Sequence, residues 1–175
     1  MTDYRRCRLP GGTYFFTVAI AERHLDLMVR HIEALKTALR DEKEHAPFVT
    51  LGFVILPDHL HAVWRLPKGD EDYSNRWRRI KARFSRALPQ GETISASRRS
   101  KGERGIWQRR FWEHTIRDQE DFNNHLDYIH YNPVKHGYAR RAADWPHSSI
   151  HRYIRLGWVD ENWGIGQESG RLYGE

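Results

Sequence analysis

The sequence predicts an α+β domain, a ferredoxin-like antiparallel β-sheet with flanking helices, and three observations carry that expectation. Segments of strand composition alternate with segments of helical periodicity in the order strand, helix, strand, strand, helix, strand, followed by a further helix. The two middle strands are separated only by Pro57-Asp58, and so short a connection pairs strands antiparallel. The chain has 175 residues, enough for one domain with a real core and short for two.

Residues 1–12 read as a basic arm ending in the turn signal Pro10-Gly11-Gly12. Thr13 to Ile20 is rich in β-branched and aromatic residues and predicts the first strand. Met28, Ile32, Leu35 and Leu39 recur at helical spacing and predict one amphipathic helix over residues 28–44, whose charged end from Arg40 to Glu44 is expected to be solvated. Phe48 to Leu56 predicts the second strand, Pro57-Asp58 a tight turn because Pro presets φ, and His59 to Leu66 the third strand. Asp72 to Leu88 predicts a second long helix that buries Trp77, Ile80, Phe84 and Leu88. Residues 89–105 are polar and small and read as a flexible basic loop. Ile106 to Ile116 predicts the fourth strand. Residues 118–132 predict the last long helix, closed near Asn132-Pro133 because proline disfavours helical geometry in the residue before it. The domain is expected to span 1–155, with 156–175 as a loosely attached tail.

Net charge is +6 and the sequence pI about 9.6, a balance that favours an anionic partner such as nucleic acid. The charge is clustered: residues 73–110 carry twelve Lys/Arg against two Glu, a block that repels itself unless something anionic neutralises it. Arg5, Arg6 and Arg8 on the arm and Arg76, Arg79, Arg83, Arg109 and Arg110 in the block are the candidate DNA contacts. Trp107, Phe111 and Trp112 offer rings for base stacking, with burial expected for at least two of them. The lone Cys7 allows no intramolecular disulfide and fits a reducing cytoplasm. No signal peptide is expected from Met-Thr-Asp-Tyr-Arg-Arg, and no apolar run approaches membrane-spanning length.

Two stretches carry candidate chemistry. On a strand, alternation puts His59, His61 and Val63 on one face and Leu60, Ala62, Trp64 and Leu66 on the other. Two imidazoles so placed either hold one cation or serve as hydrogen-bonded structural side chains. On the last long helix, Phe122, Leu126 and Ile129 form an apolar stripe, and Asp121, His125, Tyr128 and Asn132 a second stripe roughly a quarter-turn away. Tyr128 and Asn132 then project side by side. Tyr131 falls on the opposite side and is expected to point at solvent. The first two helices should cover Leu60 and Trp64, and the helix bearing Tyr128 should cover His59 and His61.

Together these stretches resemble a known family. Leu-Pro-Asp-His-Leu-His at 56–61 and Asp-Tyr-Ile-His-Tyr-Asn-Pro-Val-Lys-His-Gly at 127–137 are similar to the single-tyrosine HUH transposases, most of all to the REP-associated tyrosine transposases. Gly-Gly-Thr-Tyr-Phe-Phe-Thr-Val at 11–18, Trp-Gln-Arg-Arg-Phe-Trp-Glu-His at 107–114 and Asp-Trp-Pro-His-Ser-Ser at 144–149 extend the likeness, in order, from residue 4 to 155. The resemblance implies a metal-dependent endonuclease and strand transferase acting on single-stranded DNA with REP-type hairpins. It implies Tyr128 as nucleophile, a 5′-phosphotyrosine intermediate, and His59, His61 and Asn132 as ligands of Mg²⁺ or Mn²⁺. An amide oxygen is a hard neutral ligand suited to those ions, whereas a structural Zn²⁺ site usually wants four closed ligands, often Cys. His125 and His114 are possible accessory residues. The protein is expected in the cytoplasm with the nucleoid, as a monomer or homodimer, with no protein partner evident. The competing readings are a hairpin-binding protein that no longer cuts, an HUH replication initiator, and a ferredoxin-like RNA-binding module, which would need no histidine pair.

Overall fold

The computed structural model describes residues 8–91 and 94–165. Its elements in chain order are β1 (Thr13–Ala19), α1 (Leu27–Arg30), α2 (Ile32–His45), β2 (Val49–Ile55), β3 (His59–Arg65), α3 (Tyr73–Ala87), α4 (Ala96–Arg99), β4 (Trp112–Thr115), α5 (Gln119–Lys135), a 3₁₀ turn at Ala142–Asp144, and α6 (Ile150–Arg155). The strands form one antiparallel sheet in the order β2-β3-β1-β4, the expected ferredoxin-like arrangement. Among the described residues no helix is long and apolar enough to cross a membrane.

Alternation along β1 and β3 splits the interior between the two faces of the sheet. On one face α1, α2 and α3 cover the main core, built around Tyr14, Phe16, Leu60, Trp64, Trp77 and Phe84. Trp64 stacks on Trp77 at 4.2 Å. On the other face a small cluster of Phe15, Val54, Leu56, Val63 and Ile129 lies under α5. Among the described residues, twenty buried ones belong to the first cluster and five to the second, so the first face holds the fold and the second presents α5. The helix comes this close because of Gly52. β2 shifts register against β3 between Thr50 and Gly52, and a Cβ on Gly52 would stand 2.7 Å from Leu126 Cδ1. The outer edge of β2 is closed by the segment 147–149, through Ile55 N–H to the His147 carbonyl and Ser149 N–H to the Phe53 carbonyl.

Several boundaries differ from expectation. The first helix is broken at His31, which leaves the helical well (φ −114°, ψ 38°). Glu42 is not solvated: it is fully buried and pairs with Arg79 and Arg83 of α3. The fourth strand is short. Residues 106–108 still run along β1, with Ala21 N–H on the Ile106 carbonyl and Gln108 N–H on the Ala19 carbonyl, but regular pairing resumes only at Trp112. The last long helix does not close at Asn132. It continues through Pro133 to Lys135 and ends where Gly137 takes a left-handed conformation (φ 72°). Residues 94–105 are tied down by Arg104, which donates to the carbonyls of Ser85, Leu88 and Pro89, and by Arg98, which donates to that of Trp107. Beyond α6 the chain folds back so that Trp163 meets the rings of His130 and Tyr131.

Candidate active site

β3 delivers both imidazoles to the face under α5, as its alternation requires. His59 and His61 are buried, with ring centres 5.0 Å apart. The Tyr128 ring stands 5.1 Å from that of His61 and 6.0 Å from that of Phe15. Asn132 follows one helical turn later and is 0 % exposed; neither its Oδ1 nor its Nδ2 has a hydrogen-bond partner among the described residues. His61 Nε2 is in the same condition. His136, at the end of α5, donates its N–H to the Asn132 carbonyl and brings its ring within 5.3 Å of His59. The end of α5 therefore sits beside the histidine pair. Tyr131, expected in solvent, is instead buried against Trp163. Lys135 Nζ lies 5.2 Å over the Tyr128 ring.

The histidines are oriented by neighbours that the motif alone does not reveal. Asp58 Oδ1 lies 2.7 Å from His59 Nδ1; a carboxylate only accepts, so Nδ1 carries the proton and Nε2 keeps its lone pair. Arg23 Nε donates to Asp58 Oδ2 at 2.6 Å and fixes the carboxylate in turn. Burial would raise the Asp58 carboxyl, but the Arg23 and His59 hydrogen bonds hold it below its usual value. His61 Nδ1 is 2.9 Å from Thr17 Oγ1 on β1. With Nδ1–H donated to that hydroxyl, Nε2 offers a lone pair. Burial lowers the pKa of both imidazoles, that of His61 well below the usual histidine value. A buried polar group without a partner costs about 1–3 kcal/mol. A hard cation taking His61 Nε2 and the Asn132 amide oxygen would remove that cost, and the donor set suits Mg²⁺ or Mn²⁺.

A second group of ligand-type side chains lies nearby. Donor atoms of His114, Asp121 and His125 all fall within 4.8 Å of one another. These atoms are already engaged. His114 Nε2 donates to Asp121 Oδ2 at 2.8 Å, the Arg117 backbone N–H donates to the same oxygen at 2.9 Å, and His125 Nδ1 donates to the Asp121 carbonyl at 2.8 Å. Of the two groups, the first holds the unpartnered atoms, His61 Nε2 and the Asn132 amide. His61 and Tyr128 share one cleft of about 810 Å³ with His114, Asp121 and His125, and Phe15, Thr17, Arg23 and Trp112 also line it.

The basic residues divide. Arg5 and Arg6 lie outside the described residues, as does Cys7. Arg8 is exposed, with Glu71 at 3.9 Å. Arg76 is buried and donates to Asp70, to the Asp72 carbonyl and to the carbonyls of Ala46 and Pro47, so it is part of the scaffold rather than a surface contact. Arg79 and Arg83 turn inward onto Glu42. Arg109 is exposed and pairs with Glu103, and Arg110 is exposed. Trp107 and most of Phe111 are taken up by the main core, whereas Trp112 is 49 % exposed.

No family model matches the sequence. It is 41 % identical over 163 residues to the REP-associated tyrosine transposase of Escherichia coli (strain K12), covering 93 % of this chain and 91 % of that one. It is 45 % identical over 165 residues to the counterpart of that name from Haemophilus influenzae (strain ATCC 51907 / DSM 11121 / KW20 / Rd), covering 94 % of each. Among solved structures it matches a REP-associated tyrosine transposase bound to a REP hairpin with a TM-score of 0.82 and 38 % identity, over 100 % of this chain and 98 % of that one.

Proposed function

The chain belongs to the REP-associated tyrosine transposases, and from that membership we propose that it cuts and rejoins single-stranded DNA beside REP-type hairpins through Tyr128. The phenol oxygen of Tyr128 attacks a backbone phosphorus in line. The new oxygen–phosphorus bond forms as the bond to the deoxyribose 3′ oxygen breaks, the phenol loses its proton, and the leaving 3′ oxygen gains one. The product is a 5′-phosphotyrosine, which keeps the bond energy and lets a 3′-hydroxyl reverse the step.

His59, His61 and Asn132 would hold a divalent cation, Mg²⁺ or Mn²⁺. When bound, it makes the phosphate electrophilic. Asp58 and Thr17 keep the two imidazoles in the tautomers and orientations that a ligand needs. Lys135 brings positive charge to the nucleophile. The reading places the protein in the cytoplasm beside the nucleoid.

One observation supports this reading above the rest: the Tyr128 ring lies 5.1 Å from His61, while the amide one turn further on is buried without a partner among the described residues. The test is to incubate the protein with a labelled strand that carries a REP-type hairpin and single-stranded flanks, with Mg²⁺ or Mn²⁺. A covalent protein–DNA adduct is expected, lost in Tyr128→Phe. Chelation should stop cutting and leave hairpin binding largely intact. An adduct that persists in Tyr128→Phe would move the nucleophile elsewhere.

A further inference from the structure

We infer that the exposed face of Trp112 is a stacking platform for one unpaired base of the DNA strand whose phosphate is presented to Tyr128. The inference rests on the DNA-cleaving function proposed above and adds a positioning residue and its ligand.

The platform is a built cluster of rings. Trp112 and His114 point to the same side of β4, and their rings are nearly parallel (10°) at 6.0 Å. His114 stacks on His125 of α5 at 4.6 Å and 14°. Phe15 closes the group into a ring of contacts, 4.7 Å from His125 and edge-on to Trp112 at 5.6 Å. The cluster is clamped by Asp121, which takes His114 Nε2–H on its carboxylate and His125 Nδ1–H on its carbonyl. The indole is thus held from behind and half bare in front, whereas an aromatic ring that served only the core would be covered.

The register of the sheet aims this face at the chemistry. Thr17 of β1 pairs with His61 on one side and with Trp112 on the other. Trp112 is therefore in the same cross-strand row as His61, two strand spacings or roughly 10 Å away. His61, Tyr128 and Trp112 line a single cleft. Charge decides which part of a nucleotide lies on the indole. Asp118, Glu120 and Asp121 line the cleft against one neighbouring cation, Arg117, so this part of the lining is net negative and disfavours a phosphate, while Arg23 is held beside the histidines by Asp58. A strand in the cleft accordingly sets its backbone toward His61 and Tyr128 and turns a base onto Trp112. Stacking of this kind carries no hydrogen-bond code and tolerates any base.

The test measures binding without metal, so that no cutting intervenes. Two probes are compared, a REP-type hairpin with single-stranded flanks and the same hairpin with blunt ends. In the flanked probe 2-aminopurine replaces each flank base in turn. In the wild type, fluorescence at one flank position should be quenched on binding. Trp112→Ala should abolish that quenching and weaken the flanked probe roughly 5- to 100-fold, with the blunt hairpin unchanged. Trp112→Phe should restore most of both signals. Equal affinity and quenching in Trp112→Ala would overturn the inference while leaving the cleavage reading intact. Equal weakening of the blunt and flanked probes would also overturn it, since Trp112 would then act through the fold. Failure of the wild type to bind either probe would overturn both.

Discussion

The Asp58–His59 hydrogen bond makes the first prediction at the scale of single residues. Removing the carboxylate frees the His59 ring to change tautomer and to swing, and partners of this kind typically contribute 10- to 100-fold to metal affinity. Asp58→Ala should weaken Mn²⁺ binding by about that factor in a calorimetric titration, and an unchanged affinity would remove Asp58 from the site. Asp121 makes the second. Burial raises its carboxyl, but hydrogen bonds from His114 and Arg117 outweigh that and hold it at about 2. Because the folded value lies below the usual 3.9 of an unfolded aspartate, its contribution is complete above about pH 4 and is lost as pH falls toward 2. At most about 2.6 kcal/mol is involved. Asp121→Asn should make urea stability fall less steeply between pH 4 and pH 2; an identical slope would deny the clamp. The sequence exposed the histidine pair and the tyrosine–amide pair because periods of 2 and 3.6 are local properties. It concealed Thr17 and Arg23, which are 44 and 35 residues from their partners and meet them only through sheet register and chain folding. Asp58 was adjacent to His59 in the sequence, but nothing in a Pro-Asp turn told a capping carboxylate from one that orients a ring.

At the scale of elements, the site depends on how closely α5 lies over β2. Gly52 is the reason it lies so close, since Leu126 occupies the space of a side chain there. A single methyl would be absorbed by rotation of Leu126, but Gly52→Val should lift the helix and carry Tyr128 with it. Displacements of about 1 Å can cost roughly 100-fold in rate. Adduct formation should therefore fall by at least about 10-fold while hairpin affinity stays within about twofold, and full activity in Gly52→Val would contradict this account of the helix position. The order of elements was legible because each carries its own period. Their ends were less so. Pro133 reads locally as a stop, yet α5 continues for another half turn because carbonyls near its end are taken by His136, Gly137 and Tyr138. Glu42 looked like part of a solvated end because its partners Arg79 and Arg83 lie on another helix. The same kind of pairing takes up much of the basic block: Arg76, Arg79, Arg83 and Arg104 all spend donors on the protein itself.

At the scale of the whole molecule, one sheet serves two unequal layers, a thick aromatic core under α1, α2 and α3 and a thin cluster under α5. A layer with few apolar contacts gives way at lower free energy than the body it rests on. In native-state amide hydrogen exchange, the α5 amides should open at a lower free energy than those of β1 and β3, and exchange of all three at one common free energy would refute the ranking. The inequality has a consequence for turnover. On the proposed function the rejoined strand must leave the groove, and a helix that can detach while the sheet stays folded would give it an exit that does not require global unfolding.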